Sequence, residues 1–227
     1  MGKFELIKPT EELIKQYNRL WNSEYSEKDL TVQLFKDISI NITKYSFSKE
    51  YIKSFSNDDK EIEKYCKNND VEKFFYKLNS VYHTRLETKD IAAEWSLTDT
   101  TKTLDDLVEL CKQKTGRYAY SFATKVFSFI APDKYPIMDR YVVNMLKAYL
   151  SQSEESISTS SWGDYSKYVE AYDEFRNKYG LTKLTYKEID EFLWMYGKLL
   201  QEYWKKEGVL LFDSSVWYKS KKENQKS

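Results

Sequence analysis

The sequence predicts a mainly α-helical protein built as a two-lobed helical bundle, and three observations carry that prediction. Apolar residues recur every three or four positions over long stretches, the spacing that lines one face of a helix. Gly (6) and Pro (3) are scarce in 227 residues, which argues against a sandwich with many tight turns. Hydrophobic residues make up 41% of the chain, enough for a sizeable core, and 17% of residues are aromatic, so many Tyr and Trp rings must be half buried with their polar tips partnered.

The helices follow in order. Thr10 precedes Glu11 and Glu12, a hydroxyl cap before an acidic first turn, and Leu13, Tyr17, Leu20 and Trp21 then share a face. Leu34, Phe35, Ile38 and Ile42 predict a helix over 30–42, and a lysine-rich stretch predicts one or two more over 48–67. Asn68, Asn69 and Asp70 interrupt the pattern, with Asp70 placed to cap a helix over 71–81. Ile91, Ala92 and Trp95 mark a helix over 88–95. The polar connector 96–101 predicts a lobe boundary, giving lobes 1–96 and 103–208 of a single helical unit with a cleft between them. Thr103 caps a helix over 104–114 that Gly116 ends, and a helix over 118–130 stops at Ala131-Pro132. Asp139 opens a helix to 150, a Ser-rich loop spans 151–163, and two strong helices cover 165–179 and 185–206. The stretch 209–217 is the one candidate strand, and 219–227 reads as a charged disordered tail.

Charge and composition exclude several functions. Lys plus Arg (36) equals Asp plus Glu (36), so a nucleic-acid surface has to be a local patch. Cys66 and Cys111 lie far apart without metal spacing or a basic neighbourhood, which fits a reducing, cytoplasmic setting and no thiolate nucleophile. No apolar run is long enough for a membrane span, and residues 1–9 lack a signal-peptide core. His83 is the only histidine, so a histidine metal site or a Ser-His-Asp relay is not expected, and no phosphate loop is present. Catalysis, if any, falls to carboxylates, lysines and tyrosines.

The densest unusual stretch is 121–141. On a helix, Ser121, Lys125 and Ser128 share one face, opposite Phe122, Val126, Phe129 and Ile130. The proline-bounded turn 131–136 sends the chain back, and Asp139 falls at the start of the returning helix. A lysine on the first helix can then meet the first turn of the second. The functional reading is a lysine activated by desolvation and paired with a carboxylate. The structural reading is a plain N-cap at Asp139 and a solvated Lys125. The segment 190–198 is dense with aromatics, with Phe192, Leu193, Tyr196 and Leu200 at helical spacing, and reads as core.

At these residues the chain resembles the helix-hairpin-helix DNA glycosylase superfamily, and most closely its 8-oxoguanine glycosylase branch. Thr124-Lys125-Val126 stands where that family carries its catalytic lysine, and Pro136-Ile137-Met138-Asp139 where it carries its Pro-x-x-Asp segment. More loosely, 78–85 resembles the family's opening-helix segment, and the similar regions together cover about a third of the chain. Thr115-Gly116-Arg117-Tyr118 stands at the family hairpin but keeps one of its two glycines, and the connection from Lys125 to Asp139 is shorter than is common in that branch.

The resemblance implies a modified base flipped from DNA into a pocket between lobes, attack by Lys125 on the sugar C1′, and Asp139 as charge stabiliser or proton carrier. It implies no metal and no cofactor. It also places Gly116, Arg117, Tyr118, Lys134, Arg140 and Tyr141 at the nucleic acid, with Arg117 and Lys134 on phosphates and Arg140 and Tyr141 at the cleft. The alternative is a catalytically silent helical module that grips DNA or a protein partner, for instance in defence against phage.

Overall fold

The computed structural model describes residues 6–22, 49–82, 84, 86–150 and 165–207. All regular structure among them is helical: α1 (Glu11–Trp21), α2 (Lys49–Lys67), α3 (Val71–Tyr82), α4 (Lys89–Glu94), α5 (Leu104–Thr115), α6 (Tyr120–Ile130), α7 (Arg140–Leu150), α8 (Tyr165–Lys178) and α9 (Tyr186–Glu207). The expected helix over 30–42, the Ser-rich loop, the candidate strand, the charged tail and His83 lie outside the described residues. No helix among the described residues is long and apolar enough to cross a membrane.

Local chemistry sets the helix ends. Thr103 and Asp106 form a reciprocal capping box at the start of α5, and Gly116 closes that helix in the left-handed region at φ 71°. Thr10 accepts the Leu13 N–H at α1, and Thr185 and Glu188 exchange bonds at α9. Residues 49–67 form a single helix.

Two hydrophobic cores form, and they do not divide at 96–103. Trp95, Leu97, Leu104 and Leu107 all belong to one core, which gathers α2 to α6. The connector that looked like a boundary is a turn, with Leu97 buried and its N–H given to the Asn69 side chain at 2.9 Å. The second core joins α1 to α7, α8 and α9. Tyr17 on α1 meets Phe192 on α9 edge-to-face at 5.0 Å between ring centroids. The Tyr196 hydroxyl accepts the Ile7 N–H at 3.1 Å, and the Tyr149 hydroxyl donates to the Ile7 carbonyl at 2.8 Å. The lobes are therefore a middle lobe (α2–α6) and a terminal lobe assembled from both ends of the described chain. The expected division failed because the apolar face of α1 is completed by α9, far away in sequence. Helices α7 and α9 approach closely at Gly197, where an added Cβ would sit 2.7 Å from Met145 Cγ.

Candidate active site

Between the two lobes lies a cleft with about 470 Å³ of empty space, its solvent-open mouth included. The middle lobe contributes Asp59 (α2), Tyr82 (α3) and Lys125 (α6). The terminal lobe contributes Trp21 (α1), Val142 (α7) and Lys187, Asp190, Glu191 and Trp194 (α9). The segment entering α7 adds Ile137 and Asp139.

Lys125 is 2% exposed, within an unbroken buried run from Phe122 to Ser128. Its ammonium donates to Ser121 Oγ at 2.8 Å, one turn back, and lies 3.6 Å from Asp139 Oδ2. It also sits 5.7 Å from the centre of the Tyr82 ring. Burial pulls the ammonium below the ordinary lysine value, and the Asp139 carboxylate pushes back without cancelling that effect. Asp139 serves two partners. Its Oδ1 accepts the Tyr141 N–H at 2.8 Å, the bond of an N-cap, while Oδ2 faces Lys125. The capping reading and the pairing reading of Asp139 thus hold together. The solvated reading of Lys125 does not, because its side chain is buried where α6 meets the segment entering α7.

The segment 136–139 is held by side chains from both lobes. Thr124 Oγ1 accepts the Met138 N–H at 3.1 Å, and Asp190 Oδ2 accepts the Ile137 N–H at 2.8 Å. Tyr168 donates its hydroxyl to the Ile137 carbonyl at 2.6 Å, and Tyr165 donates to that of Pro136 at 3.0 Å. Asp190 also accepts the Tyr172 hydroxyl at 2.9 Å. Burial raises the Asp190 carboxyl well above the usual carboxylate range, against the pull of these two donors.

A second polar group occupies the same cleft. Asp59 accepts the Tyr82 hydroxyl at 2.8 Å and the Trp21 indole N–H at 3.1 Å. Burial raises its pKa. Lys187 bonds Glu63 at 3.0 Å and approaches Asp59 at 3.9 Å. Burial alone would lower the Lys187 pKa, but Asp59 and the Glu63 bond outweigh it and the pKa is raised. Glu191 Oε2 accepts from Asn18 Nδ2 at 2.6 Å, and burial pushes its carboxyl up to about 8.

The other residues singled out from the sequence lie elsewhere. Gly116, Arg117 and Lys134 are exposed, and Tyr118 is 62% exposed beneath the Lys112 ammonium. Arg140 is exposed and stacks on the Tyr141 ring. Neither Arg140 nor Tyr141 lines the cleft, which corrects their expected position. The Tyr141 side chain packs edge-to-face on the cleft residue Trp194 at 5.8 Å. Sequence reasoning missed Asp59, Tyr82, Lys187, Asp190, Glu191 and Trp194 as cleft residues. A signal for four of them existed: 187, 190, 191 and 194 fall at i, i+3, i+4 and i+7 on one helix face, and three of those are charged in an aromatic-rich stretch.

Among the described residues no cluster of three or more His, Cys, Asp or Glu could hold a metal ion. No family model, curated protein or solved structure matches the chain.

Proposed function

We propose that this protein is a DNA glycosylase/lyase of the helix-hairpin-helix type, which excises a modified base through a Schiff base on Lys125. The observation that carries the reading is a buried lysine with a depressed pKa, 3.6 Å from a carboxylate, in an open cleft between two helical lobes. Desolvation raises the fraction of neutral amine, the form that can attack.

A base swung out of the duplex enters the cleft. The Lys125 lone pair forms a bond to C1′ while the C1′–N bond breaks and its electron pair leaves with the base. Asp139 Oδ2 takes a proton from the new ammonium. The C1′–O4′ bond then opens as the nitrogen–carbon double bond forms, and O4′ takes the proton that Asp139 carries. Arg117, Tyr118, Lys134 and Arg140 are exposed, and in this reading they contact DNA outside the cleft. Borohydride trapping on a duplex with an abasic site tests the reading: the parent forms a stable covalent complex and Lys125→Gln forms none. Equal trapping by the two proteins contradicts it.

A catalytically silent DNA-binding module is the second reading. It is favoured by Gly116, which ends α5 as an ordinary left-handed cap without the second glycine of an anion-holding hairpin. Salt-dependent duplex binding with no trapped complex would select it.

A further inference from the structure

The cleft holds a second candidate for proton chemistry, and it belongs to α9 rather than to α6 or α7. Glu191 is 9% exposed and lines the cleft that Lys125 and Asp139 line. Its two oxygens have different surroundings. Oε2 accepts the Asn18 amide N–H at 2.6 Å. The orientation of that amide is not arbitrary, because Asn18 Nδ2 also donates to the Glu188 backbone carbonyl at 2.9 Å, and a carbonyl can only accept. Oε2 is therefore locked as an acceptor, and a proton on this carboxyl resides on Oε1. Oε1 has no hydrogen-bond partner among the described residues, and the Glu191 residue that carries it lines the cleft.

The groups facing Glu191 decide its charge. Burial is the largest influence and favours the neutral acid; Lys187 and the Asn18 bond oppose it, and the Asp59 and Glu188 carboxylates reinforce it. Tyr82, from α3, also lies close enough to feel the Glu191 charge. The carboxyl carries its proton through neutral pH, with its midpoint pushed up to about 8.

Building on the lysine reading above, we propose that Glu191 is a second catalytic residue: its Oε1–H, aimed by Asn18, gives its proton to a ring nitrogen or carbonyl oxygen of the departing base as Lys125 attacks C1′. The C1′–N bond breaks and its electron pair goes to the base. The base takes the Glu191 proton and leaves neutral, and the resulting carboxylate is balanced by Lys187 one turn earlier on α9. The cleft thereby selects bases that present a hydrogen-bond acceptor on the edge facing α9, and a poor leaving group that must be protonated is within its range. Two carboxyls divide the work: Asp139 takes a proton from the lysine and Glu191 supplies one to the base.

The test separates this step from the lysine step by using substrates with and without a base to expel. Parent, Glu191→Gln and Lys125→Gln proteins are given an abasic duplex under borohydride, and a set of duplexes each carrying one oxidised, deaminated or alkylated base. Glutamine keeps the Asn18 contact but has no acidic proton. In Glu191→Gln the ratio of base release to abasic trapping is expected to fall about 100-fold or more, and urea denaturation shows that the variant folds. In the parent, the ratio of base release to abasic trapping is expected to fall above about pH 8; in Glu191→Gln it stays flat. Base release by Glu191→Gln equal to the parent's overturns the assignment and leaves the lysine reading standing. So does a parent that traps on abasic DNA but releases none of the bases, since no leaving base is then protonated. Loss of abasic trapping in Glu191→Gln also overturns it, because a specific acid for the base has no part in that reaction. Absence of trapping by the parent overturns the lysine reading itself, and this inference with it.

Discussion

Thr124 Oγ1 accepts the Met138 N–H at 3.1 Å, so the residue before Lys125 holds the residue before Asp139. The lysine and its carboxylate come from different lobes, and this bond fixes the register between them. Thr124→Val keeps the shape and leaves the part-buried Met138 N–H without its partner. We expect a stability loss of about 1–3 kcal/mol by urea denaturation and slower abasic-site trapping. Unchanged trapping would show that the loop is held well enough by its other clamps.

Lys125 is the one buried cation of α6, and a buried ion pair contributes little net stability once desolvation is counted. Lys125→Met fills similar space without the charge. Asp139 keeps its Tyr141 cap and a side chain 22% exposed to water, so it is not stranded. The expected outcome is a Tm equal to or above the parent's together with complete loss of trapping. A large drop in Tm would mark Lys125 as a structural residue.

The two roles of Asp139 can be separated. Asparagine caps helices about as well as aspartate, whereas alanine costs about 1 kcal/mol. Asp139→Asn should therefore hold Tm near the parent value and Asp139→Ala should lower it. Both should trap slowly, because neither can accept the lysine proton. Normal trapping by Asp139→Asn would remove the carboxylate from the chemistry.

Asp190 makes a similar contrast. In Asp190→Asn the side-chain oxygen still accepts the Ile137 N–H. The amide N–H₂ can donate to the Tyr172 hydroxyl, which turns its hydrogen fully onto the Tyr186 carbonyl, already 3.2 Å away. Asp190→Ala leaves the Ile137 N–H unpaired, at a cost of about 1–3 kcal/mol. The asparagine variant should be the more stable of the two by chemical denaturation, and equal losses would contradict the hydrogen-bond account.

Glu191 links stability to pH. Its folded pKa, about 8, lies above the ordinary value of 4.5, so the folded state holds a proton that the unfolded state releases between those values. Stability contributed in this way is fully present below about 4.5 and declines as pH rises towards about 8. Urea denaturation across that range should show a shallower decline for Glu191→Gln than for the parent. A parallel decline in both proteins would assign the linkage to Asp59 or Asp190, whose carboxyls burial also raises.

What the sequence disclosed is mostly what neighbouring residues decide. The Thr103–Asp106 box, the Gly116 cap and the Asp139 cap need only a few consecutive residues, and each forms as its spacing dictates. The facing of Lys125 and Asp139 was legible because one short turn connects their helices. The lobe division was not, since the apolar face of α1 gives no hint that its partner is α9. Asp59 and Glu191 were hidden for the same reason: their partners Trp21, Tyr82 and Asn18 lie 38, 23 and 173 positions away. On α9 the regular spacing of Phe192, Leu193 and Tyr196 drew attention to the core face and away from the charged residues interleaved with it.

The most direct measurement is to reduce the complex with an abasic duplex using borohydride, digest it, and locate the sugar-derived mass by peptide sequencing. The account predicts the adduct on Lys125, absent from Lys125→Met. An adduct on Lys187, the other lysine lining the cleft, or on a surface lysine, contradicts it.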